Sequence, residues 1–394
     1  MRCRICDNRE LKMIVSLGSS PLANNFVKAP GDKEQRFPLD LFFCPKCKLV
    51  QLGQVVHPDL MFKHYVYVAG TTDTFRKHFE EYAVSVTKQF KLKKDSLVID
   101  IGSNDGLLLS YFNTKTMGVE PASNIVPIAI KAGVDTINNY WGEETVKRIL
   151  AWKGYADVVT ANNVFAHIDN IKEVTRNVKN AMKTNGVFII ECAYLPDMIR
   201  DMTFDMVYHE HLSYYSLTPL VTFFRKQGMT VFDVKHMDSH GGSIRVFVKK
   251  DEGEHMVKQS VRNMLDEEKG LGVNGFTMYK VFGEKIWNVK DRLIQELKGK
   301  NVVGYGAPAK GNTLLNYCGF SGDDIRYIVE DNPLKVGLFA PGTHIPIVSP
   351  KRLHEDKPDY ILILAWNFKD EILRRTSWMQ GVKFMVPLPF PHQV

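Results

Sequence analysis

The sequence predicts an α/β chain: a doubly wound central domain flanked by a small metal-held N-terminal unit and a second C-terminal α/β domain. Three observations predict it. Two Cys-x-x-Cys pairs stand near the N-terminus. From Leu97 onward short apolar strands alternate with helical patterns, the mark of βαβ units on a parallel sheet. The alternation restarts at Asn301, after a charged stretch of helical period at 251–297. The boundaries this implies are 1–60, 61–250 and 251–394.

Composition narrows the function classes. A chain of 394 residues with 44% hydrophobic and 24% charged residues is globular, which excludes disordered, collagen-like and coiled-coil classes. Its apolar runs, such as 187–190 and 360–366, are far too short for a membrane span, so no membrane partner is expected. No charged start followed by an apolar stretch stands in residues 1–40, so the expected compartment is the cytoplasm. The net charge of +7 is dispersed, without a basic run. That pattern suits an anionic small substrate, and no nucleic-acid partner is expected. Nothing in the sequence speaks to oligomeric state.

In the N-terminal unit, Cys3-x-x-Cys6 and Cys44-x-x-Cys47 each place two thiolates on a tight turn. Two such turns complete a closed, tetrahedral Zn²⁺ site with no open position for water, so the metal is structural. The competing reading is a pair of redox dithiols. Cys192 and Cys318 stand alone in apolar surroundings, as buried thiols do.

In the central domain strands are predicted at 97–101, 117–120, 157–161 and 186–191, with helices near 106–112, 122–132, 143–151 and 170–182. An antiparallel end follows at 229–234 and 243–249. The first strand carries Asp100 and runs into a turn with Gly102, Asn104 and Gly106, where a helix opens. Glycines there admit a ligand close to the backbone, and the helix start offers free N–H groups. The spacing is Gly-x-x-x-Gly rather than the Gly-x-Gly-x-x-Gly of dinucleotide sites. The next strand ends on Glu120, about 20 residues on, where a carboxylate accepts from both hydroxyls of a ribose. A further short strand, third in chain order, reaches Asn138, near the expected adenine edge, and Asn163 and His167 follow the fourth, at 157–161. Together these segments resemble the cofactor motifs of class I S-adenosylmethionine methyltransferases.

Beyond the fifth strand lies Tyr208-His209-Glu210-His211. An imidazole, an acid and a phenol in one turn are the makings of general base catalysis. The order is not His-Glu-x-x-His, so a zinc protease is not indicated.

With these motifs in chain order, the whole sequence resembles the sugar C-methyltransferase family of deoxysugar biosynthesis. The matching segments are the paired cysteines, 100–106, 163–167, 208–211, 240–245 and 305–313. The resemblance implies a zinc-binding domain, a class I Rossmann-like methyltransferase domain and a C-terminal Rossmann-like α/β domain that contacts the substrate. It also implies transfer of a methyl group from S-adenosylmethionine to a nucleotide-linked 4-keto-deoxysugar, usually dTDP-linked and usually at C-3. By resemblance His211 is the favoured base, Glu210, Tyr208 and His167 line the active site, and Tyr65 and Tyr67 come from an aromatic stretch beside the sugar. The family often reads Tyr-x-x-Ser-Ser-x-Ser at that stretch; here residues 69 and 70 are Ala and Gly, with hydroxyls at Thr71, Thr72 and Thr74.

The residue types suit that chemistry. A carbon beside a ketone has a removable proton, so a base near neutrality and donors aimed at the enolate oxygen are needed. In the C-terminal domain a glycine-rich turn at 303–313 lacks phosphate-loop spacing, so ATP hydrolysis is not expected. Lys310 and Asn312 at its helix start are candidates for the substrate diphosphate, and Arg245 is a second candidate contact. Two other classes fit the residues: a methyltransferase for C-5, an O or N position or RNA, and a non-catalytic nucleotide-sugar binding protein.

Overall fold

A computed structural model describes residues 1–65, 70, 73–238 and 241–394. Tyr67 lies outside the described residues.

The N-terminal unit is a small antiparallel sheet, β1 (Lys12–Pro21), β2 (Arg36–Phe43) and β3 (Val50–Leu52), followed by α1 (Asp59–Phe62) and the long α2 (Asp73–Phe90). The central domain runs β4 (Leu97–Ile101), α3 (Leu107–Ser110), β5 (Lys115–Val119), α4 (Val126–Lys131), β6 (Thr136–Ile137), α5 (Glu143–Trp152), β7 (Ala156–Asn162), α6 (Ile171–Ala181) and β8 (Met182–Ala193). It continues through α7 (Leu195–Arg200), β9 (Ser213–Tyr214), α8 (Leu217–Lys226), β10 (Met229–Met237) and β11 (Ser243–Lys250). Two helices, α9 (Gln259–Gly270) and α10 (Thr277–Leu297), lead to the C-terminal domain. That domain contains β12 (Val302–Tyr305), α11 (Ala309–Cys318), β13 (Ile328–Val329), β14 (Ile347–Val348), β15 (Tyr360–Ile363), α12 (Lys369–Arg375), β16 (Lys383–Val386) and β17 (His392–Gln393).

The central sheet is ordered β10-β11-β8-β7-β4-β5-β6, with β11 antiparallel to both neighbours. Every residue of β4 is buried, as expected of a strand covered on both faces. Strand order reverses at β4, so the loops after β4 and β7 open a crevice at the carboxyl edge, where doubly wound sheets bind ligands. The C-terminal sheet, β14-β13-β12-β15-β16-β17, repeats this arrangement with its reversal at β12. Among the described residues no helix is long and apolar enough to cross a membrane.

Three features depart from a chain of separate units. β9, from the middle of the sequence, pairs with β3 and completes the N-terminal sheet. α9 packs on α8 and β10, so it belongs with the central domain although it follows residue 250. The N-terminal sheet also shares a core with α10, where Phe43 stacks on Tyr279 at 4.6 Å between ring centroids.

Candidate active site

The four cysteine sulfurs of the N-terminal unit lie within 4.8 Å of one another. Cys3 Sγ is 3.3 Å from Cys47 Sγ, and Cys6 Sγ is 3.5 Å from Cys44 Sγ. Zn–S bonds of about 2.3 Å put tetrahedral sulfurs roughly 3.8 Å apart, so the cluster has the size of a zinc site. Burial pushes the Cys6 thiol up to about 11, and the neighbouring Cys3 raises Cys47. Thiolates crowded this way call for a cation. Cys192 and Cys318 are buried among apolar groups.

A cavity of about 1110 Å³ is lined by all three parts of the chain. At one end lies the turn after β4. Gly102 (φ 67°), Asn104 (φ 50°) and Gly106 (φ 77°) all adopt left-handed backbone. A Cβ on Gly102 would come within 2.5 Å of Val164, so only glycine permits this turn against the loop after β7. Glu120, at the end of β5, accepts from the Asn104 N–H at 2.9 Å and the Ala122 N–H at 2.8 Å. A carboxylate has about four acceptor positions, so capacity remains for a diol. Burial raises its pKa. Asp100 accepts from Thr160 Oγ1 at 2.6 Å and from Asn162 Nδ2 at 3.4 Å, and burial pushes its carboxyl up to about 7. Among the described residues Asn162 Oδ1 and Ser103 Oγ are buried without a partner, which fits a crevice built for a polar ligand. Asn163 (φ 54°), Tyr140 and Trp141 extend the same wall.

Four rings that line the cavity stand in series. Phe62 lies parallel to His167 at 5.6 Å, His167 is 5.1 Å from His211, and His211 is 4.1 Å from Tyr208. His211 Nδ1 is 2.8 Å from the Met206 carbonyl. A carbonyl only accepts, so Nδ1 carries the hydrogen and Nε2 is the basic nitrogen. Burial, with His211 adding to it, holds the His167 pKa well below the ordinary histidine value, so His167 is neutral. Glu210 is 5% exposed and does not line the cavity. Its carboxylate accepts from Asn24 Nδ2 at 2.6 Å and from the Tyr65 hydroxyl at 2.8 Å, and it thereby orients two side chains that do line it.

At the far end, the turn after β12 meets Glu330, which follows β13. Glu330 accepts from the Ala307 N–H at 2.9 Å and the Asn332 N–H at 3.0 Å, repeating the Glu120 arrangement contact for contact. Lys310 Nζ lies 3.4 Å from the Trp366 ring centroid and donates to Asn367 Oδ1 at 2.6 Å. Burial brings its pKa down to about 8. Trp366 Nε1 donates to the buried Asp205 at 2.7 Å, which joins the central and C-terminal domains. Lys335 and Arg375 complete this end.

Besides Glu210, four of the predicted residues sit elsewhere. Arg245, 3% exposed, is ion-paired to Glu191 rather than turned to the cavity. Asn312, 1% exposed, donates to the Ala23 carbonyl at 2.7 Å and so ties α11 to the N-terminal unit. Asn138 donates to the Glu120 carbonyl at 2.9 Å and braces the strand end. Gly106 packs on Val134 and Ala129, where a Cβ would crowd them, so it serves the helix start rather than a ligand. Asn24, Phe62, Asp205, Trp366 and Glu330 escaped the sequence reading. Only Glu330 left a signal there, an acid closing a strand as Glu120 does.

The strand order and the turn after β4 define a class I methyltransferase, whose methyl donor is S-adenosylmethionine. Profile comparisons match three segments of the chain. Residues 3–62 match a "Putative zinc binding domain", 75–234 a "Methyltransferase domain" and 238–389 a "C-methyltransferase C-terminal domain". The chain is similar to the C-methyltransferase NovU of Streptomyces niveus, at 36% identity over 404 residues, covering 100% of this chain and 96% of that protein. The chain belongs to the C-methyltransferase family. Among solved structures, an S-adenosylmethionine-dependent methyltransferase of Clostridium acetobutylicum matches 47% of this chain and 94% of its own, at 14% identity and a TM-score of 0.36. The plantazolicin methyltransferase BpumL matches 46% of this chain and 86% of its own, at 13% identity and a TM-score of 0.36.

Proposed function

We propose that this chain methylates C-3 of a nucleotide-linked 4-keto-deoxysugar, dTDP-linked by resemblance, through an enolate. The observation that carries the reading is the His211 tautomer: Nδ1 is committed to Met206, which makes Nε2 the basic nitrogen in a cavity that is also lined by the Glu120 and Glu330 turns.

S-adenosylmethionine supplies an electrophilic methyl group when bound. Asp100, Gly102, Asn104, Glu120 and Asn163 would hold it, with Glu120 on the ribose hydroxyls. His211 Nε2 takes the proton from the carbon beside the ketone, and the C–H electron pair passes into the enolate. Neutral His167 and the Tyr208 hydroxyl are donors for the enolate oxygen, while the Tyr65 hydroxyl, which donates to Glu210, can accept from a sugar hydroxyl. The Nδ1–H···O bond to Met206 stabilises the imidazolium that forms. Lys310, Lys335 and Arg375 would receive the nucleotide diphosphate, and Glu330, which repeats the Glu120 arrangement, would take the ribose hydroxyls. Glu120, His211 and Glu330 all line this one cavity, which supports both ligands meeting at His211.

The test is hydrogen exchange in heavy water. With the sugar nucleotide present, enzyme-dependent exchange confined to the C-3 hydrogen is expected. Exchange at C-5 alone would move the methylated carbon, and exchange at neither would remove the enolate.

A further inference from the structure

We propose that His78, Glu191 and Arg245 form a buried latch that seats helix α2 over the methyl-donor end of the cavity, as positioning residues for the donor. The inference rests on assigning the Glu120 end of the cavity to that donor.

Glu191 is 1% exposed and stands near the end of β8. Its Oε1 accepts from His78 Nε2 at 2.6 Å, and its Oε2 accepts from Arg245 Nε and Nη2, each at 2.7 Å. Arg245 is the directly opposed residue on β11, and its guanidinium lies 3.7 Å from the centroid of the Tyr82 ring. His78 and Tyr82 are four apart on α2, so both face this ion pair from one helix stripe.

The adjacent stripe carries Phe75 and Phe79, which line the cavity beside Asp105, Leu107 and Leu108. Just before the helix, the Gly70 N–H donates to Asp105 Oδ2 at 2.8 Å, and Arg76 Nη2 donates to the Gly70 carbonyl at 2.5 Å. The latch therefore fixes the helix whose other stripe closes the donor end. It also reaches the loop after β7 directly, because the Glu191 carbonyl accepts from the Asn163 N–H at 2.7 Å.

Stability alone does not explain a charged cluster here. Apolar side chains of similar volume in such positions are commonly neutral or stabilising, because desolvation offsets the ionic attraction. The surrounding contacts of α2, through Phe79, Ala83 and Val86, are apolar and do not fix the helix along its axis. Directional hydrogen bonds do.

The test uses the full chain and compares both substrates. His78→Leu should raise KM for the donor, and the dissociation constant of S-adenosylhomocysteine, by about tenfold, with KM for the sugar nucleotide within about twofold. His78→Gln, which keeps an amide donor for Glu191, should recover most of that loss. His78→Asn, too short to reach Glu191, should behave as His78→Leu and serves if the leucine variant does not fold. Glu120→Ala is the comparator, because it touches the donor site directly. Normal donor affinity in His78→Leu beside weakened affinity in Glu120→Ala overturns the latch and leaves the donor site standing. Equal loss for both substrates, without rescue by His78→Gln, also overturns it. Normal affinity in Glu120→Ala overturns the donor-site assignment itself.

Discussion

Adjacent residues 210 and 211 take opposite directions, and that divides their work. His211 turns into the cavity, with Nδ1 held by Met206, while Glu210 turns away and orients Asn24 and Tyr65. His211→Asn should abolish substrate hydrogen exchange and lower turnover by about 10²- to 10⁴-fold, the usual weight of a general base. Glu210→Gln should retain measurable exchange while KM for the sugar nucleotide rises, read by isotope incorporation and steady-state kinetics. Native exchange in His211→Asn would shift the base elsewhere. Glu120→Ala removes a charged acceptor and should weaken S-adenosylhomocysteine by roughly 10- to 150-fold, or about 1.5–3 kcal/mol, measured by calorimetry. Asp100 offers a pH test. Burial raises its folded pKa to about 7 from an unfolded value near 3.8, so the folded state binds the extra proton between those values. Its contribution is therefore present in acid and is lost as pH rises through about 7. Between pH 5 and 7 the stability of the native chain should fall relative to Asp100→Asn, by at most about 1.4 kcal/mol per pH unit, and it should level off above that. Paired urea melts at the two pH values would show it, and parallel curves would contradict it.

At the scale of elements, the zinc unit is tied to the segment that carries His211. β9 begins two residues after His211 and pairs with β3. Arg4 Nη1 donates to the Leu212 carbonyl at 3.0 Å. Cys44→Ser should therefore lower folded yield and also loosen the segment around His211. Metal analysis with amide exchange over residues 207–215 would report both, and well-folded, fully active protein without zinc would contradict the coupling. Read from sequence alone, the zinc turns and the strand-to-turn motifs at Gly102 and Glu120 are legible because their geometry is local. β9 is not, since two residues carry no periodicity and its partner is distant in the chain. Arg245 and Asn312 read as ligand contacts because polar residues beside glycine turns often are. Their actual partners, Glu191 and the Ala23 carbonyl, lie far away in sequence. Asp205 and Trp366 belong to an interdomain contact that no local pattern announces.

At the scale of the whole molecule, two sheets that each reverse strand order at their first strand present strand-end glutamates to one cavity. Glu330→Ala should raise KM for the sugar nucleotide with little change for the donor, and Glu120→Ala should do the reverse. The same change in both variants would contradict a two-ended cavity. The central claim, methyl transfer to carbon through an enolate, is tested most directly with a donor carrying a trideuterated methyl group. After incubation with a dTDP-linked 4-keto-deoxysugar, tandem mass spectrometry and carbon NMR of the product read the position and isotope content of the new group. The account predicts an intact CD₃ group bonded to C-3, beside the ketone. A CD₃ group on oxygen, or no methylated sugar nucleotide at all, would contradict it.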